Sequence, residues 1–157
     1  MNRKDKINYY LAIADSVLQR STCLRRKYGA IIVRNDEIIS TGYNGAPRGR
    51  KNCVDLDYCK RDALNIPSGE RYELCRSVHA EANAIISAAR RDCIDATLYL
   101  AGRNAKTGDI LSDTTPCSMC RRMIINAGIT NVICRIGENE YTVTNVRDWV
   151  FNDDSMD

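Results

Sequence analysis

The chain has 157 residues, 44% apolar and 27% charged, an ordinary make-up for a globular protein and enough for one domain, 1–157, with its own core. Its formal charge of +3 is mild and predicts no nucleic-acid partner. No apolar run approaches the roughly 20 residues of a membrane span. The start, MNRKDKINYY, lacks the apolar stretch of a secretory signal, so the expected location is cytoplasmic. In that reducing setting, eight cysteines point to metal or catalysis rather than disulfides.

Residues 4–20 place Ile7, Leu11, Ile13, Ala14 and Leu18 at helical spacing. The β-branched run 28–34, the turn at 35–37 and the run 38–43 predict a hairpin. Residues 44–76 carry Gly, Pro and charge with little periodicity, apart from a turn of helix near CKRDAL. A loop this long in a compact domain is usually functional or stapled. Then the pattern turns regular. A helix is predicted over 80–91, a strand over 96–102, and a helix over 117–128 that ends at Gly128 in a C-cap position. Further strands are predicted over 130–135 and 141–146. Strands alternating with helices predict an α/β layered domain.

The chemistry gathers at two predicted helix starts. His79-Ala80-Glu81 opens the first and Pro116-Cys117-Ser118-Met119-Cys120 the second; His79 is the only histidine of the chain. A Cys-x-x-Cys pair at a helix start offers two sulfurs to one ion, and the helix N-terminus favours their thiolates. With His79 they make three ligands of a tetrahedral zinc, leaving the fourth position for water, as in catalytic sites. Glu81 stands beside them as the group that moves protons. H-x-E followed by P-C-x-x-C is the signature of zinc nucleobase deaminases. The plainer readings are a satisfied core histidine and a redox-active Cys-x-x-Cys.

The runs STCLRRKYGAIIVRNDEIISTGYNGAPRG, VHAEANAI, PCSMC and INAGITNVI, in that order, resemble the deoxycytidylate (dCMP) deaminases of the zinc-dependent cytidine deaminase-like superfamily. The resemblance implies a three-layer α/β/α fold with a central mixed five-stranded sheet. It implies hydrolysis of dCMP to dUMP and ammonia, supplying dUMP for thymidylate synthesis. It also implies a homohexamer, activated by dCTP and inhibited by dTTP, with Mg2+ accompanying the effector. His79, Cys117 and Cys120 match the zinc ligands and Glu81 the proton shuttle. Asn44 matches a residue contacting sugar or base, and the Ala80 backbone and the peptide after Pro116 match pocket wall. For the 5′-phosphate, LRRK offers Arg25, Arg26 and Lys27, with Arg26 and Lys27 taken as substrate-binding; a solvated charge run is the alternative. Gly42, Tyr43, Asn44 and Gly45 match the region that holds the effector, or else form a tight turn leaving the hairpin. Arg90 is expected either to sense an effector across a subunit boundary or to face solvent.

Cys93 and Cys134 read as ordinary core or boundary thiols. Cys23, Cys53, Cys59 and Cys75 lie in or beside the long loop, which has too few apolar residues to hold itself by burial. A second, closed zinc site of four thiolates would staple it. Some phage members of the resembled family carry a second, structural zinc; Cys23 and Cys53 match ligand positions there, Cys59 and Cys75 do not match the remaining ones, and free thiols are the alternative.

Three rivals stay open. A tRNA or other polynucleotide deaminase shares the zinc motifs, and the clusters LRRK and RGRK would suit a polyanion, with steep salt dependence. Against the tRNA branch stands the long stretch between Gly45 and His79. A free-nucleoside deaminase usually has Cys in place of His in the first motif. A non-catalytic zinc module would have no need of Glu81.

Overall fold

The computed structural model describes residues 2–153. Helix α1 (Lys6–Leu18) begins at Asp5, whose carboxylate accepts the Asn8 backbone N–H at 2.9 Å. A cap of this kind is worth about 1 kcal/mol. The buried stripe is Tyr10, Leu11, Ala14 and Leu18. Ile7 and Ile13, expected in it, pack only at its margin.

Strands β1 (Arg26–Arg34) and β2 (Glu37–Tyr43) form the expected antiparallel hairpin. Asn35 and Asp36 join them, with φ of 52° and 62°. Left-handed backbone at both turn positions matches the twist of the strands, and short polar side chains tolerate it. After the hairpin comes the long loop, with two single-turn helices, α2 (Cys53–Leu56) and α3 (Lys60–Ala63), and a 3₁₀ turn at Tyr72–Leu74.

The second half supplies α4 (Ala80–Ile86), α5 (Arg90–Cys93), β3 (Thr97–Asn104), α6 (Ser118–Ala127), β4 (Asn131–Arg135), β5 (Tyr141–Asn145) and α7 (Val146–Asn152). Strand order is β2-β1-β3-β4-β5, with β3 and β4 parallel and the other neighbours antiparallel. This is the mixed five-stranded sheet that was expected. Alternation along the strands divides the core in two. Ile31, Val33, Tyr99, Ala101 and Ile133 face α1. Ala30, Ile32, Leu98, Leu100 and Val132 face the opposite layer, to which α4, α5, α6 and α7 contribute. Among the described residues no helix is long and apolar enough to cross a membrane.

Two elements depart from the expectation. The helix predicted over 80–91 stops at Ile86, turns, and restarts as α5. The break lets Cys93 and Ala96 enter the core, 1% and 0% exposed, at the expense of Ile86, left 72% exposed. Tertiary burial thus outweighs the helix propensity of an alanine-rich run. Helix α7 was not anticipated, because only Val146 and Trp149 of it are buried, too few to set up a periodic signal.

One contact fixes how α4 sits on the sheet. A Cβ at Gly42 would lie 2.4 Å from both the Ala80 carbonyl oxygen and the Ala84 nitrogen. Only glycine allows β2 to approach the helix backbone this closely. Gly42→Ala is expected to cost about 3 kcal/mol in urea unfolding. Gly49→Ala, in open space at φ +87°, should cost about 1 kcal/mol through backbone strain alone.

Candidate active site

Helices α4 and α6 begin side by side, at the end of the sheet where β3 finishes and β1 starts. Their N-cap residues are His79 and Cys117. Both have extended backbone, with ψ of 154° and 167°, so each side chain leaves its helix at the first turn. Cys120 follows one turn into α6 and is fully buried. His79 Nδ1 lies 3.6 Å from Cys117 Sγ and 3.4 Å from Cys120 Sγ. Bond lengths of about 2.0 Å to nitrogen and 2.3 Å to sulfur, at a tetrahedral angle, place ligand atoms about 3.5 Å apart. The three atoms therefore fit one zinc ion. Among the described residues, no other group of three or more His, Cys, Asp or Glu side chains reaches this spacing.

The charges agree with that fit. Hydrogen bonding with Cys120, and then with His79, lowers the Cys117 thiol to about 4. Cys120 moves up, through its bond to Cys117 and its burial. Burial alone would lower His79; hydrogen bonds with Cys117 and Cys75, and the charge of Glu81, outweigh it and raise the imidazole to about 10. Metal binding at such a cluster is coupled to loss of protons from its thiols and imidazole. Glu81, 5% exposed, sits on the first turn of α4. Burial pushes its carboxyl up, against the pull of the His79 charge. A glutamate with a raised pKa next to a metal position is suited to proton transfer.

A cleft opens over this cluster. Asn44, Ala80 and Arg26 line it, as expected, together with Tyr28 and Thr115. Asn44 is held on three sides: its carbonyl oxygen accepts from Tyr28 N at 2.8 Å and Ser21 Oγ at 2.5 Å, and its amide donates to the Arg26 carbonyl at 2.9 Å. One amide hydrogen is left over for a ligand.

Several expected site residues lie elsewhere. Lys27 does not line the cleft; it lines a neighbouring groove beside Asn104 and Lys106, to which Arg26 also contributes. Gly42 is buried within β2 against α4 and is not in a turn. Gly45 pairs its backbone with Val78. Tyr43 is half-exposed, and its carbonyl accepts from Asn83. Arg90 donates to the Asn126 carbonyl at 3.0 Å and lines a different groove between α5 and α6. The structure does not bring Arg90 to the segment 42–45.

The four loop cysteines gather without closing to ligand spacing. Cys53 is raised by burial and by the fields of Cys23, Cys75 and Cys59. Cys23, Cys59 and Cys75 line the cleft itself, and Cys75 is hydrogen-bonded with His79. The loop is held by other means: the Gly45–Val78 bridge, Val54 N to the Thr22 carbonyl at 3.3 Å, and an Arg25–Asp62 ion pair at 3.0 Å.

Arg121 was not anticipated. Its Nε donates to the Pro116 carbonyl at 3.0 Å, its guanidinium pairs with Asp153 at 2.5 Å, and it lies over the Trp149 ring at 5.1 Å. It thereby clamps the peptide just before Cys117. RR at 121–122 reads in sequence as a mere basic pair. Arg121→Ala is expected to weaken zinc binding roughly 10-fold with all ligands intact. Chelator competition measures this, and unchanged affinity would show that the clamp does not serve the ligand.

Comparison with known proteins agrees with this geometry. The family model of the cytidine and deoxycytidylate deaminase zinc-binding region matches residues 4–136. Deoxycytidylate deaminase of Mycobacterium phage D29 is 37% identical over 137 residues, covering 85% of this chain and 96% of the relative. The Schizosaccharomyces pombe deoxycytidylate deaminase is 33% identical over 84% of this chain, which spans only 37% of that longer protein. Among solved structures, dCMP deaminase of cyanophage S-TIM5 in complex with dCMP and dUMP superposes with a TM-score of 0.56, at 27% identity, over 85% of this chain and 84% of that one. The chain belongs to the cytidine and deoxycytidylate deaminase zinc-binding family.

Proposed function

We infer that this chain hydrolyses dCMP to dUMP and ammonia. The observation that carries the reading is the His79, Cys117 and Cys120 cluster at zinc-ligand spacing, with buried Glu81 beside it in the cleft that Asn44 lines. Relatives named deoxycytidylate deaminases, and the cyanophage structure holding dCMP and dUMP, support this choice of substrate.

His79, Cys117 and Cys120 would hold the zinc. A zinc ion there supplies a Lewis acid that makes water nucleophilic near neutral pH. Glu81 does the proton work. Its carboxylate takes a proton from the attacking water as the new oxygen bond forms at C4 of the cytosine ring, and delivers it to N3. It then carries the second proton from that oxygen to the exocyclic N4. The C4–N4 bond breaks and ammonia leaves, so one water is consumed and the ring becomes uracil. The buried position of Glu81 keeps bulk water from competing for these protons. Asn44, fixed by its three bonds, orients sugar or base with its free amide hydrogen.

The finer reading adds a structural zinc at Cys23, Cys53, Cys59 and Cys75, which gather at the long loop as free thiols. It also adds a homohexamer in the cytoplasm that responds to dCTP and dTTP with Mg2+. The eight cysteines are all free, which suits a reducing compartment.

Ammonia release over dCMP, CMP, dCTP, deoxycytidine and single-stranded DNA, with and without dCTP and dTTP, tests the substrate and the regulation together. dCMP is expected to be turned over fastest. Glu81→Gln should keep its zinc and lose roughly 1,000-fold in kcat; unchanged turnover would refute the assigned role. Metal analysis after chelator washing and reconstitution should find two zinc ions per chain, and one would remove the four-cysteine site.

A further inference from the structure

The long loop places a buried cation in the active-site cleft. Arg61, on α3, is only 6% exposed and lines the cleft over the His79 cluster. An arginine keeps its charge at any ordinary pH and is rarely buried without a partner. Arg61 forms no ion pair with any described residue. One guanidinium nitrogen, Nη2, donates to the Pro67 and Glu70 carbonyls at 2.7 and 2.9 Å. Its Nε is buried with no hydrogen-bond partner among the described residues. A buried charged donor left unpaired is costly, so the cost points to an acceptor that is not part of the chain.

A second orphan lies in the same cleft. Ser77 Oγ is buried and without a partner among the described residues, and Ser77 lines the cleft with Arg61. The two other arginines lining it each have a carboxylate partner: Arg25 pairs with Asp62 at 3.0 Å and Arg26 with Asp113 at 3.3 Å. Arg61 is therefore the cationic side chain of the cleft that lacks a carboxylate. Its place relative to the chemistry is set by Tyr72. The Tyr72 ring centroid is 4.3 Å from Arg61 Cζ and 4.8 Å from the His79 ring, which it meets edge-on. One phenol ring separates guanidinium from metal ligand, much as one sugar ring separates phosphate from base in a nucleotide.

We propose that Arg61 Nε, with the Ser77 hydroxyl, binds the 5′-phosphate of the substrate and makes this enzyme select a nucleoside monophosphate over a nucleoside. The assignment rests on the reading of the chain as a dCMP deaminase, and it moves the phosphate contact from LRRK to the loop. A guanidinium and a hydroxyl together offer charge-assisted bonds to separate phosphate oxygens.

The test uses full-length, zinc-loaded Arg61→Gln, Arg61→Lys and Ser77→Ala. Each is assayed on dCMP and on deoxycytidine, and titrated calorimetrically with dUMP and deoxyuridine. Arg61→Gln should lower the dCMP-to-deoxycytidine ratio of kcat/KM roughly 30-fold, mainly through KM, and Ser77→Ala about 5-fold. Arg61→Lys should fall between wild type and Arg61→Gln. Affinity for dUMP should drop in parallel, and that for deoxyuridine far less. Equal losses on both substrates, or loss of zinc with both activities, would overturn the proposal and leave Arg61 a clamp of the loop. If Arg61→Gln does not fold, an unchanged ratio in both Arg61→Lys and Ser77→Ala overturns it equally. A wild-type chain inactive on dCMP would refute the deaminase reading instead, and the paired titrations would still decide the phosphate contact.

Discussion

His79 and Cys117 are each the last residue before a helix, and the two helices start within a few ångströms of one another. Most of the fold can be understood as a means of holding that separation. The ion they fit requires nitrogen and sulfur about 3.5 Å apart, so small errors in helix placement matter. Helix α4 is fixed by the side-chain-free face of Gly42, by the Ser40 hydroxyl bonded to the Ala84 carbonyl at 2.7 Å, and by the small residues Ala80 and Ala84 that let it lie close to the sheet. Helix α6 is fixed at one end by Arg121 and at the other by Gly128, left-handed at φ 85° as its C-cap. Rigid elements of this kind hold a catalytic constellation better than loops do.

The long loop completes what the sheet and helices cannot. It is polar, so hydrophobic burial does not explain why it folds over the cleft. Its anchors are the Gly45–Val78 bridge, the Arg25–Asp62 pair and the two carbonyls held by Arg61. Arg61 organises its own loop through Nη2 while its side chain lines the cleft. Desolvating that charge is unfavourable, and the proposed phosphate contact is what would compensate it. A site built this way trades some stability for selectivity, a pattern common at functional sites.

What the sequence revealed, and what it hid, follows from the range of each interaction. Helix starts with local signatures were legible: H-A-E and P-C-x-x-C name their own chemistry, and Gly128 marks its own helix end. The hairpin was legible because strand alternation and the Asn35-Asp36 turn are local. The break after Ile86 was not, since it answers to where Cys93 must be buried. Lys27 and Arg26 are neighbours in sequence and share a groove, and only the fold shows that Arg26 alone of the two also lines the cleft. Arg61 looked like one more charge in CKRDAL; its burial depends on contacts with Pro67, Glu70 and Tyr72, none of which leaves a periodic trace. The segment 42–45 matched a regulatory region by resemblance, yet Gly42 here serves packing, a role that a motif match does not encode.

Arg121 ties the metal-bearing peptide to the last helix. Through it, Pro116 is connected to Trp149 and Asp153, on and just beyond α7. Helix α7 is thus mechanically in series with Cys117: force or disorder applied there passes through one guanidinium to the metal position.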